Sequence, residues 1–158
     1  MAGLSRSDLL IELDPIPDRE RWLEPWSWLL HGRFAARYQN RFGCWFLERP
    51  EGGIEMLDVF FGLVDEVAPS LADFVAKMDD PGWREVYLLS DFVARLHDAG
   101  KVATGTQVYI LAPPPAVSGP DPWGREPLST AAAMVVDNLV LQSLYSQAVR
   151  LAREAGSA

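Results

Sequence analysis

Chemistry at neutral pH needs a nucleophile, a tuned base or a set of metal ligands, and this chain carries few of each. Its one cysteine, Cys44, stands between Gly43 and Trp45, and its two histidines are His31 and His97. A thiol turns nucleophilic when a base or a positive charge lowers its pKa. The neighbours of Cys44 in the sequence are largely apolar, which predicts a buried, inert thiol in mid-strand. His31 follows Trp-Leu-Leu at a predicted helix end, and His97 sits in the last turn before Gly100. Both places suit a cation at the negative end of a helix dipole. One Cys and two His without ligand spacing predict no transition-metal site. Glu55 with Asp58, and Asp65 with Glu66, are the carboxylate pairs available for acid–base work. Residues three apart on a strand point to opposite faces, so Glu55 and Asp58 do not converge. The segments DEVAPS and DDPG lack the alternating oxygens of a calcium loop. GKVATG lacks the spacing of a phosphate-binding loop, and no Gly-x-Ser-x-Gly occurs. The expectation is a protein that is not an enzyme and has no cofactor. An enzyme that uses its acidic groups with a metal is the weakest of the readings.

The elements that would position these residues come from a chain of 158 residues, the length of one compact domain (residues 1–158), with residues 1–17 a loosely attached segment. Half the residues are apolar and six are Trp, which is ample material for a core. No apolar run is long enough to span a membrane. Asp and Glu interrupt the N-terminal stretch where a signal peptide is apolar, and the single Cys fits a reducing compartment, so a cytoplasmic location is expected. The net charge is −8. That argues against direct binding to nucleic acid or to an anionic membrane, which require clustered Lys and Arg. It permits a basic protein partner, and it also serves plain solubility. Between Glu48 and Asp80 nine carboxylates face only Arg49 and Lys77, so −7 of the −8 lies in this one region.

Hydropathy patterning predicts a short helix within residues 19–31, ended near Gly32 and interrupted by Pro25. Pro15 and Pro17 stop whatever LLIEL begins. Strands are predicted at 34–39 and 42–48, the second apolar on both faces and therefore central in its sheet. The turn RPEGG leads to a strand at 54–61, and Gly62 to another at 63–67, which makes an antiparallel meander. The period then changes to 3.6. Ser70 caps one helix, Asp80-Pro81 opens the next, and Ser90-Asp91 can interrupt it. A strand at 107–112 precedes a Pro-rich segment, 112–124, that cannot join a ladder. From Thr130 the pattern is helical to the end. The fold class is α+β: an antiparallel β-meander sheet with helices packed on one face and a long C-terminal helix.

The order of these pieces resembles a bacterial domain-of-unknown-function family that also forms the C-terminal half of type VI secretion DNase-immunity proteins. A Trp-rich start (WSWLL) leads to NRFGCWFLERPEGGIEMLDVFFGLVDEVAPSLADF, then DDPGWREVYLLSDFVARLHDAGK, then TGTQVYILAPPPAVSG. The matching features are Phe42-Gly43, the hairpin at Gly53, Leu57-Asp58, the helix start at Ser70, and the Tyr109 strand followed by prolines up to Gly119. They cover residues 26–150. The chain departs from the family at Val108 to Leu111, where Cys-Tyr-Gly-Phe is usual. It departs again at Val117, Ser118 and Gly119, where Leu-Gly-Gly is usual, and at Leu141, which stands for a helical His. The resemblance leads to the expectation that the additional N-terminal domain of the DNase-immunity members has no counterpart here. The resemblance transfers no binding residues.

What the resemblance implies is a non-enzymatic immunity-like protein that neutralises a cognate effector, such as a DNase, by occluding it. A nuclease cleft is basic because it holds phosphates, and carboxylates can imitate those phosphates. The candidate contact residues are Glu48, Glu51, Glu55, Asp58, Asp65 and Glu66. The alternative is a stand-alone small-ligand or protein-interaction module with no toxin partner, whose apolar pocket would lie under loop 112–124 near Trp123. Trp123 can equally staple that loop to the core. Nothing in the sequence sets an oligomeric state.

Overall fold

The structure, a computed structural model, describes residues 3–14 and 16–157; Pro15, expected to stop the first element, lies outside them. The chain begins with a short helix α1 (Arg6–Leu9) and strand β1 (Leu10–Glu12), followed by a 3-10 helix, Arg19–Trp26. Strands β2 (Ala35–Asn40), β3 (Trp45–Glu48), β4 (Ile54–Asp58) and β5 (Leu63–Ala68) come next. Then come helices α2 (Leu71–Lys77), α3 (Pro81–Leu88) and α4 (Ser90–Asp98). Strands β6 (Val108–Leu111) and β7 (Ala133–Val136) precede the long helix α5 (Asn138–Ser157).

The meander is the organising feature. Strands β1 to β5 form one antiparallel sheet in sequence order. β3 lies at its centre, and Trp45, Phe46 and Leu47 are fully buried. Successive side chains on a strand point to opposite faces, so this burial requires cover on both sides. On one side Phe46 packs 4.8 Å from the ring of Phe74 in α2 and 6.2 Å from Trp83 in α3. On the other, Trp45 donates to Gln142 of α5. Helices therefore cover both faces of the sheet, not the single face expected.

Local chemistry explains the boundaries. The Ser70 hydroxyl accepts from the Asp73 amide and the Asp80 carboxylate from that of Trp83, which starts α2 and α3. Leu89, at φ 53°, breaks α3 from α4. Residues 1–17, expected to be loosely attached, instead supply the edge strand β1, and Leu9, Leu10, Ile11 and Leu13 are buried. Arg41 fixes them further, donating to the carbonyls of Ser7, Gly105 and Gln107. The strand expected at 42–48 starts only at Trp45; Phe42 and Cys44 lie in the β2–β3 turn, where both their amides donate to the Asn40 side chain. The strand expected at 54–61 ends at Asp58. The segment from Thr130, expected to be helical, holds a 3-10 turn and then β7, which pairs with β6 as a separate two-stranded sheet.

α5 sits close against the main sheet. At Gly43 and Gly62, both at positive φ, an added Cβ would come within 2.6 Å of Leu141 and 2.5 Å of Val149. Between these contacts lies a buried polar layer. Oε1 of Gln142 accepts from the indoles of Trp26 (2.7 Å) and Trp45 (3.1 Å). Its Nε2 donates to the Gly43 carbonyl (3.0 Å) and to Asn138 (3.1 Å), and Asn138 also pairs with Gln39.

Candidate functional site

A concavity of about 580 Å³ forms a groove beside β5. Its floor is one face of the last two strands of the meander: Met56 and Asp58 of β4, with Leu63, Asp65 and Val67 of β5. The period of two puts these residues on the face that carries α3. One wall is the end of α3, with Glu85 and Val86, and the other is Trp123 between Pro122 and Gly124. Asp58, Asp65, Glu66 and Glu85 are among the lining residues, with no cationic side chain among them; Glu66 alternates with Asp65, so its side chain leaves the groove for the other face of the sheet and lies against Gly53.

The four differ in their state. Asp58 is buried; its Oδ1 accepts from the Phe60 amide (2.8 Å) and its Oδ2 from the Trp123 indole (2.9 Å). Burial pushes its carboxyl above the usual range, the hydrogen bonds from Trp123, Phe60 and Phe61 pull it back, and the charge of Asp121 adds to the rise. Glu85 uses Oε2 to accept from the Asp91 amide and the Ser90 hydroxyl, so it caps the start of α4 as well. Asp65 and Glu66 are exposed on the strand. Trp123 does serve as a staple: its ring meets Phe60 edge-on at 5.3 Å while it bonds Asp58. It remains 37% exposed, so the same ring forms part of the groove wall.

Of the six acidic residues picked from the sequence, the fold gathers three. Asp58 and Asp65 share the groove, and Glu66 borders it from the adjacent strand position with its side chain on the other face. Glu48 instead forms an ion pair with Arg37 (2.7 Å), and Glu55 is held by Arg49. Glu51 is exposed in the β3–β4 turn, outside the groove lining. Glu85 was missed because it lies on a helix, 19 residues beyond Glu66, with no local pattern that marks it as part of the same surface. The opposite orientation expected for Glu55 and Asp58 is seen. The Cys44 thiol is fully buried, and burial together with the nearby Asp58 charge pushes its pKa well up, the reverse of activation. Among the described residues no three His, Cys, Asp or Glu side chains gather as a metal-ligand set. No helix there is long and apolar enough to cross a membrane.

No protein-family model matches the chain, and no curated protein matches it. The resemblance to the immunity-related family therefore rests on the motifs quoted for it.

Proposed function

We propose that this chain is a non-enzymatic binding protein of the toxin-immunity kind, acting in the cytoplasm, which occludes a basic effector such as a DNase. The observation that carries the reading is the groove: a floor of Met56, Leu63 and Val67 interspersed with Asp58 and Asp65, Glu85 on the wall and Glu66 at the strand edge, with no opposing cation in its lining. A cleft built to hold phosphate is positive, and a negative groove with exposed Asp65, together with exposed Glu66 on the same strand edge, complements it. Such complementarity acts mainly on association rate and partner choice. The ionised neighbours of Glu48 and Glu55 take those two residues out of the contact, and leave the charge concentrated at the β5 edge.

The test begins with the gene directly upstream, expected to encode a toxin. Co-expression of this chain is expected to protect cells from that product. Association of the purified pair should slow with added salt. The Asp65→Lys/Glu66→Lys variant should slow it on the order of tenfold, while Glu51→Lys, outside the groove, leaves it near wild type. A neighbouring product that neither binds nor is neutralised overturns the immunity reading. Unchanged association in the double variant removes the groove from the contact.

A second reading is favoured by the position of Trp123. A groove of about 580 Å³ with an indole wall is the size of a small-ligand site. A stand-alone module for a cationic, partly apolar small molecule would use the same carboxylates. Retention of an amine-bearing metabolite from a host extract, lost in the double variant, would distinguish it from the first.

A further inference from the structure

We propose that the groove receives its partner as an added β-strand: an extended, cationic segment of another protein that pairs with the free edge of β5. This rests on the binding reading above and specifies how the contact is made. β5 is the last strand of the sheet and pairs only with β4. Among the described residues its backbone makes no hydrogen bond to any other loop or side chain. Alternate N–H and C=O groups therefore face outward over six residues, about 20 Å of strand. An open edge of this kind is a template for another strand, and main-chain pairing supplies affinity while alternate side chains supply selectivity.

The side chains on β5 state what that strand must be. The run reads Leu63, Val64, Asp65, Glu66, Val67, Ala68. Two copies of this chain paired antiparallel about mid-strand would set carboxylate against carboxylate, which disfavours self-association. A strand with two adjacent cations between apolar residues reverses the sign and meets Asp65 on the groove face and Glu66 on the other. On the groove side its apolar residues would land beside Leu63, 52% exposed, and toward Val86, 58% exposed. Those two are among the most exposed large apolar side chains of the described residues, and both border the groove.

The acetylated and amidated peptide Val-Val-Lys-Lys-Val-Val complements β5 in either direction and serves as the probe. Titrated into 15N-labelled protein at low ionic strength, it is expected to shift the amides of β5 and the Trp123 indole. It should also slow hydrogen exchange along β5, and its affinity should fall with salt. The same peptide N-methylated on every second residue keeps its charge but loses the pairing donors of one frame. Of the two frames, one is expected to bind at least about tenfold more weakly, from two or three lost hydrogen bonds. Equal binding by both methylated frames and the parent overturns strand addition, yet leaves charge-driven association intact. Failure of the parent peptide to bind, or shifts centred elsewhere, also overturns it. A toxin partner that fails to bind a protein that does take the peptide would count against the immunity reading alone.

Discussion

Replacing Gln142 by Met tests whether the polar layer under α5 is held by the four hydrogen bonds described above. Met is similar in length and apolar, so it fills the site without a large cavity. It leaves the indole N–H groups of Trp26 and Trp45 without their acceptor; the Gly43 carbonyl keeps a longer bond from Gln39 at 3.4 Å. Trp26 and Trp45 are fully buried, so water does not substitute. An orphaned buried donor costs about 1–3 kcal/mol, so two cost roughly 2–6 kcal/mol. That is a large share of the roughly 5–15 kcal/mol available to a folded domain. With an m-value of about 2 kcal/mol/M, a loss of about 4 kcal/mol lowers the urea midpoint by about 2 M. Urea titration followed by tryptophan fluorescence and by circular dichroism measures the shift. Adding Trp45→Phe removes one of the orphaned donors, so the double variant should lose less than the two single losses combined, by about 1–3 kcal/mol. A loss below about 1 kcal/mol in Gln142→Met, or strict additivity in the pair, would refute the reasoning.

Two further outcomes follow from the same physics. The folded-state carboxyl of Asp58 lies above its ordinary value of 3.8, so the folded chain binds that proton more tightly than the unfolded one. Its contribution is fully present below about 3.8 and is lost as pH rises through the raised folded value. The stability of wild type relative to Asp58→Asn should therefore fall with pH across that window in urea titrations, and a flat or rising difference would contradict the burial argument. Gly62→Ala combines a positive φ of 72° with a Cβ 2.5 Å from Val149, whereas Gly100→Ala at φ 81° meets nothing within 4 Å. The second should cost about 1–2 kcal/mol, from conformation alone, and the first clearly more in thermal unfolding; equal costs would mean that α5 is not seated on Gly62.

What was legible in the sequence was local. Ser70, Asp80-Pro81 and the Gly52-Gly53 turn each carry their structural reason within four residues, and the elements they bound are where the pattern puts them. β7 was not legible, because the alanine run 131–133 that leads into it reads as helix and only pairing with β6, Tyr109 opposite Val135, makes it a strand. Cover on both sheet faces was hidden because α5 is apolar on two sides: Leu139, Val140, Leu144 and Leu151 are exposed, while the buried side mixes Leu141, Tyr145 and Val149 with Asn138 and Gln142. The groove was half legible. Its strand carboxylates stand in one run, but the Trp123 bond to Asp58 joins residues 65 apart. The irregularity between Ala36 and Tyr38, which lies beside the Arg37–Glu48 ion pair, leaves no trace in composition.

The seating of α5 also bears on how the chain is made. Trp26, Trp45, Gly43 and Gly62 are all synthesised well before Gln142, Leu141 and Val149, up to 116 residues earlier in the case of Trp26 and Gln142. Until the last helix emerges, one side of the meander presents bare indoles and two glycine turns to solvent. A meander that formed before α5 was synthesised would be finished on the α2–α3 side and open on the other, where a chaperone has most to hold. Stop codons placed just before Asn138 should give chains that aggregate, whereas the complementary α5 segment supplied in trans has a preformed bed to dock on.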